Sequence, residues 1–295
     1  MSLVATLVSH PAKRALTPAV ATMAMNAVDA SQIDWLGKDV ACDIALPGEI
    51  DPREAEDALR GALAGLPIDL AVQEAGNRRK KMLIADMDST MIDQECIDEL
   101  AAELGLKDAV AAITQRAMNG EIAFEPALEE RVALLEGLPL DIIGSVIEKR
   151  ITLASGGRSL VATMNAAGAF TALVSGGFVQ FTVPVAQMLG FQTQQANRLL
   201  ETDGKLTGQV EKPILGRAAK AVALDRFAQE HGITHQDVLA VGDGANDLDM
   251  LELAGLGVAL HAKPAVAEQA RVRIDHGDLT ALLFLQGYRE TEFVS

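Results

Sequence analysis

Three short apolar runs beyond residue 80 stop abruptly at clusters of polar and glycine residues. Met82–Ala85 ends in Asp86-Met87-Asp88-Ser89-Thr90, residues 170–174 end in Ser175-Gly176-Gly177, and residues 238–241 end in Gly242-Asp243-Gly244-Ala245-Asn246-Asp247. Helical patterns at 159–167, 217–231 and 247–254 alternate with these runs, and Leu256–Leu260 reads as a further strand. Strands alternating with helices require a parallel sheet covered by helices on both faces. In such sheets ligands bind at the carboxyl ends of the strands. The pattern predicts an α/β fold, a Rossmann-like parallel sheet, with its polar strand ends gathered on one edge.

The chain before this region has a different rhythm. Strands are predicted at 2–9, 33–36, 40–46 and 68–72, with helices at 17–28 and 51–63. Asp51-Pro52-Arg53-Glu54 suits a helix start, because proline fits the first turn. The order β-α-β-β-α-β is the split βαβ, ferredoxin-like arrangement of a small α+β domain. A basic cluster, Arg78-Arg79-Lys80-Lys81, marks the junction, dividing the chain into 1–80 and 81–295. Residues 97–150 are almost wholly helical in pattern, with turns near Gly105, Gly120 and Gly137.

Composition excludes several function classes. The 295 residues carry 25 Lys and Arg against 41 Asp and Glu, a net charge of −16. That balance opposes broad binding of a nucleic-acid backbone, and 3% aromatic residues are too few for base-stacking platforms. An acidic chain that handles an anion must concentrate positive charge locally, in a metal ion or a few basic side chains. Cys42 and Cys96 are the only cysteines, so no disulfide framework is expected. Residues 159–197 contain no charged side chain, but Gly168, Ser175, Gly176, Gly177, Gln180 and Pro184 divide them into pieces shorter than the ~20 apolar residues of a spanning helix. They are expected as buried helix, strand and loop. With no membrane segment and no basic leader, the cytoplasm is the expected location.

Asp86 and Asp88 lie two residues apart where a strand ends. Alone, such a pair reads equally as a capped turn. Asp243 and Asp247 repeat the signal at a second strand end, although Asp247 also suits a helix N-cap. Carboxylates gathered this way repel one another unless a cation joins them, and all-oxygen ligands suit Mg²⁺. Ser175 and nearby backbone N–H groups could hold phosphate oxygens. Lys220, on the helix before residues 238–241, is in isolation an ordinary solvated lysine; beside a phosphate at Asp86 it becomes a charge clamp.

Together, in this order, the four elements resemble the haloacid-dehalogenase-type phosphohydrolases over about residues 82–275. The resemblance implies that Asp86 attacks phosphorus, that Asp88 serves as acid and then base, and that Lys220 and Ser175 stabilise phosphate oxygens. It implies Mg²⁺ held by Asp86, the Asp88 backbone carbonyl and Asp243, with Asp247 in support. Gly176 and Asn246 are expected to contact phosphate and substrate. The helical insert, about 93–155, is expected to form a cap over the site. Within the superfamily the cap residues resemble the phosphoserine phosphatases, in which Glu95 would meet the substrate ammonium, Arg131 its carboxylate, and Met118 and Phe124 would close over it. The alternative roles are a dipole-favoured helix-start acid for Glu95 and pairing with Glu129 or Glu130 for Arg131. The N-terminal unit resembles an ACT-like regulatory domain through its element order alone, which leaves room for a homodimer and an amino-acid effector there.

The expected activity is hydrolysis of O-phosphoserine in serine biosynthesis. A phosphotransferase or a related phosphatase acting on another small amino-acid phosphate is the neighbouring alternative. A sensor with a stable phospho-aspartate is the distant one, opposed by Asp88. Cys96 is expected as a small buried residue, and the five histidines show no metal spacing.

Overall fold

The structure, a computed structural model, describes residues 2–48, 50–118 and 121–295, with the side chains of Ala117 and Met118 outside that set. The roles expected of the Met118 side chain and of a turn at Gly120 lie outside the described residues.

The N-terminal unit runs β1 (Leu3–Ser9), α1 (Pro18–Ala27), β2 (Ile33–Gly37), β3 (Ala41–Ala45), α2 (Pro52–Ala62) and β4 (Ile68–Glu74). Its antiparallel sheet has the order β2-β3-β1-β4. Asp51 starts α2 by accepting from the Arg53 N–H at 2.8 Å, with Pro52 in the first turn. Side chains alternate along each strand. Ala5, Leu7, Cys42, Ile44 and Leu70 face the helices, packing with Leu16 and Leu59. Val8, Ala41 and Ala71 face the other way and join the core of the second half, with Leu282, Phe284 and Leu285.

The second half runs β5 (Met82–Ala85), α3 (Cys96–Glu103), α4 (Lys107–Met118), α5 (Phe124–Ala133), α6 (Asp141–Arg150), α7 (Gly157–Ala166), β6 (Phe170–Phe178), α8 (Val179–Leu189) and β7 (Thr193–Asn197). It continues through β8 (Leu199–Thr202), β9 (Lys205–Val210), α9 (Arg217–Glu230), β10 (Val238–Gly242), α10 (Leu248–Leu253), β11 (Leu256–Leu260), α11 (Pro264–Ala267), β12 (Val272–Ile274) and α12 (Ala281–Leu285). The order β12-β11-β10-β5-β6-β7 makes a parallel sheet. β5 and β10 are buried along their whole length, which explains their unbroken apolar runs. Ala85 registers with Val241 on one side and Leu173 on the other. The three polar strand ends therefore emerge side by side.

The helical insert leaves and re-enters the sheet through paired backbone segments. Asp93 donates its N–H to the Thr152 carbonyl at 3.0 Å, and Ala154 to that of Met91 at 3.0 Å. Its helices turn at Gly105 and Gly137, both with positive φ, +67° and +80°. The hairpin β8–β9 pairs with the insert: Leu140 donates to the Gly204 carbonyl at 3.0 Å and Leu206 to that of Leu138 at 2.9 Å.

The charge-free stretch 159–197 resolves into α7, β6, α8 and β7. Two details differ from expectation. β6 continues to Phe178 instead of stopping at residue 174. Helix α8 runs through Gln180 and carries Pro184 at its middle, where the proline removes one bond of the helical ladder without ending the helix. Among the described residues no helix is long and apolar enough to cross a membrane.

The basic junction is a fastener. Arg78 bonds Asp43 on β3 through Nη1 at 2.5 Å, Thr6 on β1 at 2.9 Å, and the carbonyls of Phe284 and Leu285 at 3.1 Å each. Asp69 on β4 is buried and accepts the N–H groups of Asp275 at 2.8 Å, His276 at 3.1 Å and Gly277 at 2.6 Å.

Candidate active site

Asp86 leaves β5 at the sheet edge, where its N–H donates to the Val241 carbonyl of β10 at 3.0 Å. Its Oδ1 accepts from the Met87 N–H at 2.8 Å and lies 2.7 Å from Lys220 Nζ. The same ammonium reaches Asp247 Oδ1 at 2.5 Å. Lys220 is therefore not the solvated helix lysine of its isolated reading: α9 delivers it, buried, between two carboxylates. Asp247 does not cap α10 with its side chain; Oδ2 turns back to accept the Gly244 N–H at 3.0 Å. Two glycines make the room. A Cβ on Gly242 would lie 2.3 Å from Asp247 Cγ, and one on Gly244 would lie 2.4 Å from Asn246 Oδ1.

Carboxylate oxygens of Asp86, Asp243 and Asp247 lie within 4.8 Å of one another, and all three residues are buried. Among the described residues Lys220 is the cation paired with this group, one ammonium against three carboxyl groups that offer hard oxygen donors. That composition fits a divalent cation of the Mg²⁺ type. Burial, with Asp247 adding to it and Lys220 opposing, pushes the Asp86 carboxyl well above the ordinary range. Burial, Asp247 and Glu95 push Asp243 to about 6. Burial alone would push Lys220 down, but Asp247 and Asp86 outweigh it and hold the ammonium above its usual pKa.

Asp88 stands half-buried beside this group. Its Oδ1 accepts the Cys96 N–H at 3.2 Å. Burial and then Glu95 raise its carboxyl to about 7, against the hydrogen bonds from Cys96. A carboxyl poised there can give or take a proton near neutrality. Ser175, buried on β6, accepts the Gly177 N–H at 2.9 Å, leaving its hydroxyl proton for another acceptor. A Cβ on Gly177 would lie 2.9 Å from Asp88 Oδ2 and 3.1 Å from Ser175 Oγ, so a side chain here would displace the Asp88 carboxylate or the Ser175 hydroxyl.

The insert reaches the same edge. The Phe124 ring lies 3.4 Å from where a side chain on Gly176 would begin, and Asn246 Nδ2 lies 4.0 Å from that point. Glu95 precedes α3 without capping it and accepts from Ser89 Oγ at 2.9 Å. Arg131 on α5 donates Nε to the Ala127 carbonyl at 3.2 Å. Burial lowers its pKa, while Asp98, Glu95 and Asp88 pull it back up, which places the guanidinium in the field of the site. Its acidic neighbours are engaged elsewhere: Glu130 holds Arg116 at 3.1 Å and Glu129 holds Lys212 at 2.7 Å.

Several contacts near the site carried no sequence expectation, although Cys96 is buried as expected. Thr90 Oγ1 donates to Asp243 Oδ1 at 3.2 Å, a contact its place in the Asp-x-Asp-x-Thr run could have suggested. Cys96 is buried and fixes Asp88, and Gly177 fits between Asp88 and Ser175. Asn197 had no signal at all.

A parallel sheet whose carboxyl edge gathers three buried carboxylates and a buried lysine is the frame of an α/β enzyme with donors that could hold a metal ion. The family model for haloacid dehalogenase-like hydrolases matches residues 83–252. A phosphoserine phosphatase of Streptomyces coelicolor is 39% identical over 97% of this chain and 71% of its own. That of Methanocaldococcus jannaschii is 41% identical over 70% of this chain and 97% of its own. Among solved structures, a HAD family hydrolase of Salmonella enterica serovar Typhi superposes with a TM-score of 0.85 at 30% identity, covering 96% of this chain and 97% of that one. A phospho-aspartyl intermediate analogue of phosphoserine phosphatase superposes at 0.65 with 41% identity, covering 70% and 98%. The chain belongs to the haloacid dehalogenase-like hydrolase family, among its phosphoserine phosphatases.

Proposed function

We propose that this chain hydrolyses O-phosphoserine to serine and inorganic phosphate, with Mg²⁺ as its metal. The observation that supports the reading is electrostatic: beside the Asp86–Lys220–Asp247 group, Glu95 acts on Asp88 and Asp243, and Arg131 lies in the field of Asp98, Glu95 and Asp88. Phosphoserine bears an ammonium and a carboxylate besides its phosphate. A glutamate and an arginine over the phosphate site would read both, and the guanidinium fork matches a carboxylate.

Asp86 is the nucleophile of this mechanism. Its carboxylate oxygen bonds to phosphorus as the bond from phosphorus to the serine oxygen breaks, and Asp88 gives that oxygen its proton. Asp88, now ionised, takes a proton from water. The hydroxide oxygen bonds to phosphorus and the Asp86–phosphorus bond breaks, restoring both carboxyl groups. Lys220 holds Asp86 in line and balances its charge; Ser175 and the Gly176 N–H receive phosphate oxygens, with Asn246 beside them. Mg²⁺ would be held by Asp86, Asp243 and the Asp88 carbonyl, with Asp247 adjoining, and would offset the repulsion between carboxylate and phosphate. Phe124 closes the apolar side. The β-α-β-β-α-β order of the N-terminal unit and its β2-β3-β1-β4 sheet support a regulatory or dimerising part for it.

Phosphate release from O-phosphoserine, phosphothreonine and phosphoethanolamine tests the reading. Phosphoserine should be turned over most efficiently and phosphoethanolamine, which lacks a carboxylate, poorly. Equal turnover of the two would remove the role given to Arg131.

A further inference from the structure

The strand that offers Ser175 does not run straight. Val174 registers with Gln195 of β7 and Phe178 with Asn197, so four steps along β6 match two along β7. The surplus lifts residues 175–177 off the ladder as a bulge, whose peptide groups then need partners outside it. Asn197 supplies one. Its Nδ2 donates to the Gly176 carbonyl at 2.9 Å and to the Leu215 carbonyl at 3.3 Å, while its Oδ1 accepts the Leu215 N–H at 2.7 Å. The residue is only 3% exposed.

Leu215 leads into Gly216, which starts α9 four residues before Lys220. The ring of Phe124 lies against both tethered segments: it is 3.4 Å from a Cβ built on Gly176 and 3.5 Å from one built on Gly216. One buried amide thus pins two backbone walls. Between them sits the ring of the insert, and beyond them stand Ser175 and Lys220.

We propose that Asn197 is a positioning residue for the phosphate group: it sets the spacing between the 175–177 bulge and the start of α9. It acts through Gly176 and Leu215. The inference rests on the proposed function for taking the bound group to be a phosphate monoester.

The test uses the full chain with Mg²⁺ and the variants Asn197→Ser and Asn197→Asp. Asn197→Ser removes the amide; Asn197→Asp turns its donor face into an anion opposite two carbonyls. KM and kcat are measured for O-phosphoserine and for p-nitrophenyl phosphate, with inhibition by inorganic phosphate and the melting temperature. Both KM values and the phosphate Ki should rise together, roughly tenfold or more, the scale of one lost hydrogen bond to a bound anion. The fall in kcat should be smaller. A lower melting temperature with unchanged KM and Ki would overturn the proposal and leave Asn197 a structural bridge. If Asn197→Asp does not fold, Asn197→Ser decides alone. A wild-type enzyme inactive on phosphoserine would sink the substrate reading only, because the aryl phosphate and phosphate arms still judge Asn197.

Discussion

Replacing Lys220 by methionine removes the ammonium bonded to both Asp86 and Asp247 and keeps much of its apolar length. The lysine is buried, with Asp86 at 2.7 Å and Asp247 at 2.5 Å. Breaking a buried pair by deleting one partner costs about 3–5 kcal/mol, because the other charge is left uncompensated. At about 2–4 °C per kcal/mol for a chain of this general size, the metal-free variant should melt roughly 10 °C below wild type at pH 8. The loss should shrink at pH 5. Asp86 already has a raised carboxyl pKa in the folded state, and losing Lys220 raises it further. An acid so raised costs nothing where both states are protonated. Its penalty grows as pH climbs past the unfolded value of about 3.9 and is complete above the folded value. Excess Mg²⁺ should recover part of the stability at pH 8 but not the turnover, since Asp86 is no longer held in line. Thermal melts at the two pH values, with and without Mg²⁺, read this directly. A Lys220→Met protein as stable as wild type at pH 8 and still active would refute the reasoning.

Further perturbations separate the remaining parts of the site. Arg131→Ala should raise KM for phosphoserine roughly 10–100-fold, the worth of a charged hydrogen-bond pair, while leaving steady-state hydrolysis of p-nitrophenyl phosphate nearly unchanged. Gly242→Ala puts a Cβ 2.3 Å from Asp247 Cγ; turnover should fall roughly 100-fold, as expected when a site group moves by about 1 Å. Asp69→Ala leaves the buried Gly277 N–H without its acceptor at 2.6 Å. Urea unfolding should show a loss of about 1–3 kcal/mol with KM for phosphoserine unchanged.

The catalytic edge was legible because its signals are local. An apolar run followed at once by carboxylates needs no tertiary information, and the three runs registered as adjacent strands. The split βαβ order of the first unit was readable for the same reason, from Asp51-Pro52 at a helix start and short apolar runs at its strands. Non-local features were not readable. Residues 193–210 passed without a strand, although Asp203-Gly204, with φ of 48° and 75°, is a hairpin-turn pair. β7 was hidden because Thr-Gln-Gln-Ala-Asn is a half-buried edge strand with no alternation of apolar residues. Lys220 reached the site only through the order of the motifs, because taken alone one helix lysine looks like another until the fold sets two carboxylates around it. Asn197 had no motif; its meaning comes from a register shift on the neighbouring strand. The fastening of the N-terminal sheet by Arg78 and Asp69 depends on residues 275–285, about 200 positions away in the chain.

The central claim is that Asp86 carries the phosphoryl group between the two halves of the reaction. Enzyme mixed with O-phosphoserine and Mg²⁺, quenched in acid within one turnover and analysed by peptide mass spectrometry, tests it most directly. A phosphoryl increment on Asp86, absent from Asp86→Asn, is the predicted result. Rapid release of phosphate with no increment on Asp86 at any quench time, or an increment on another side chain, would contradict it.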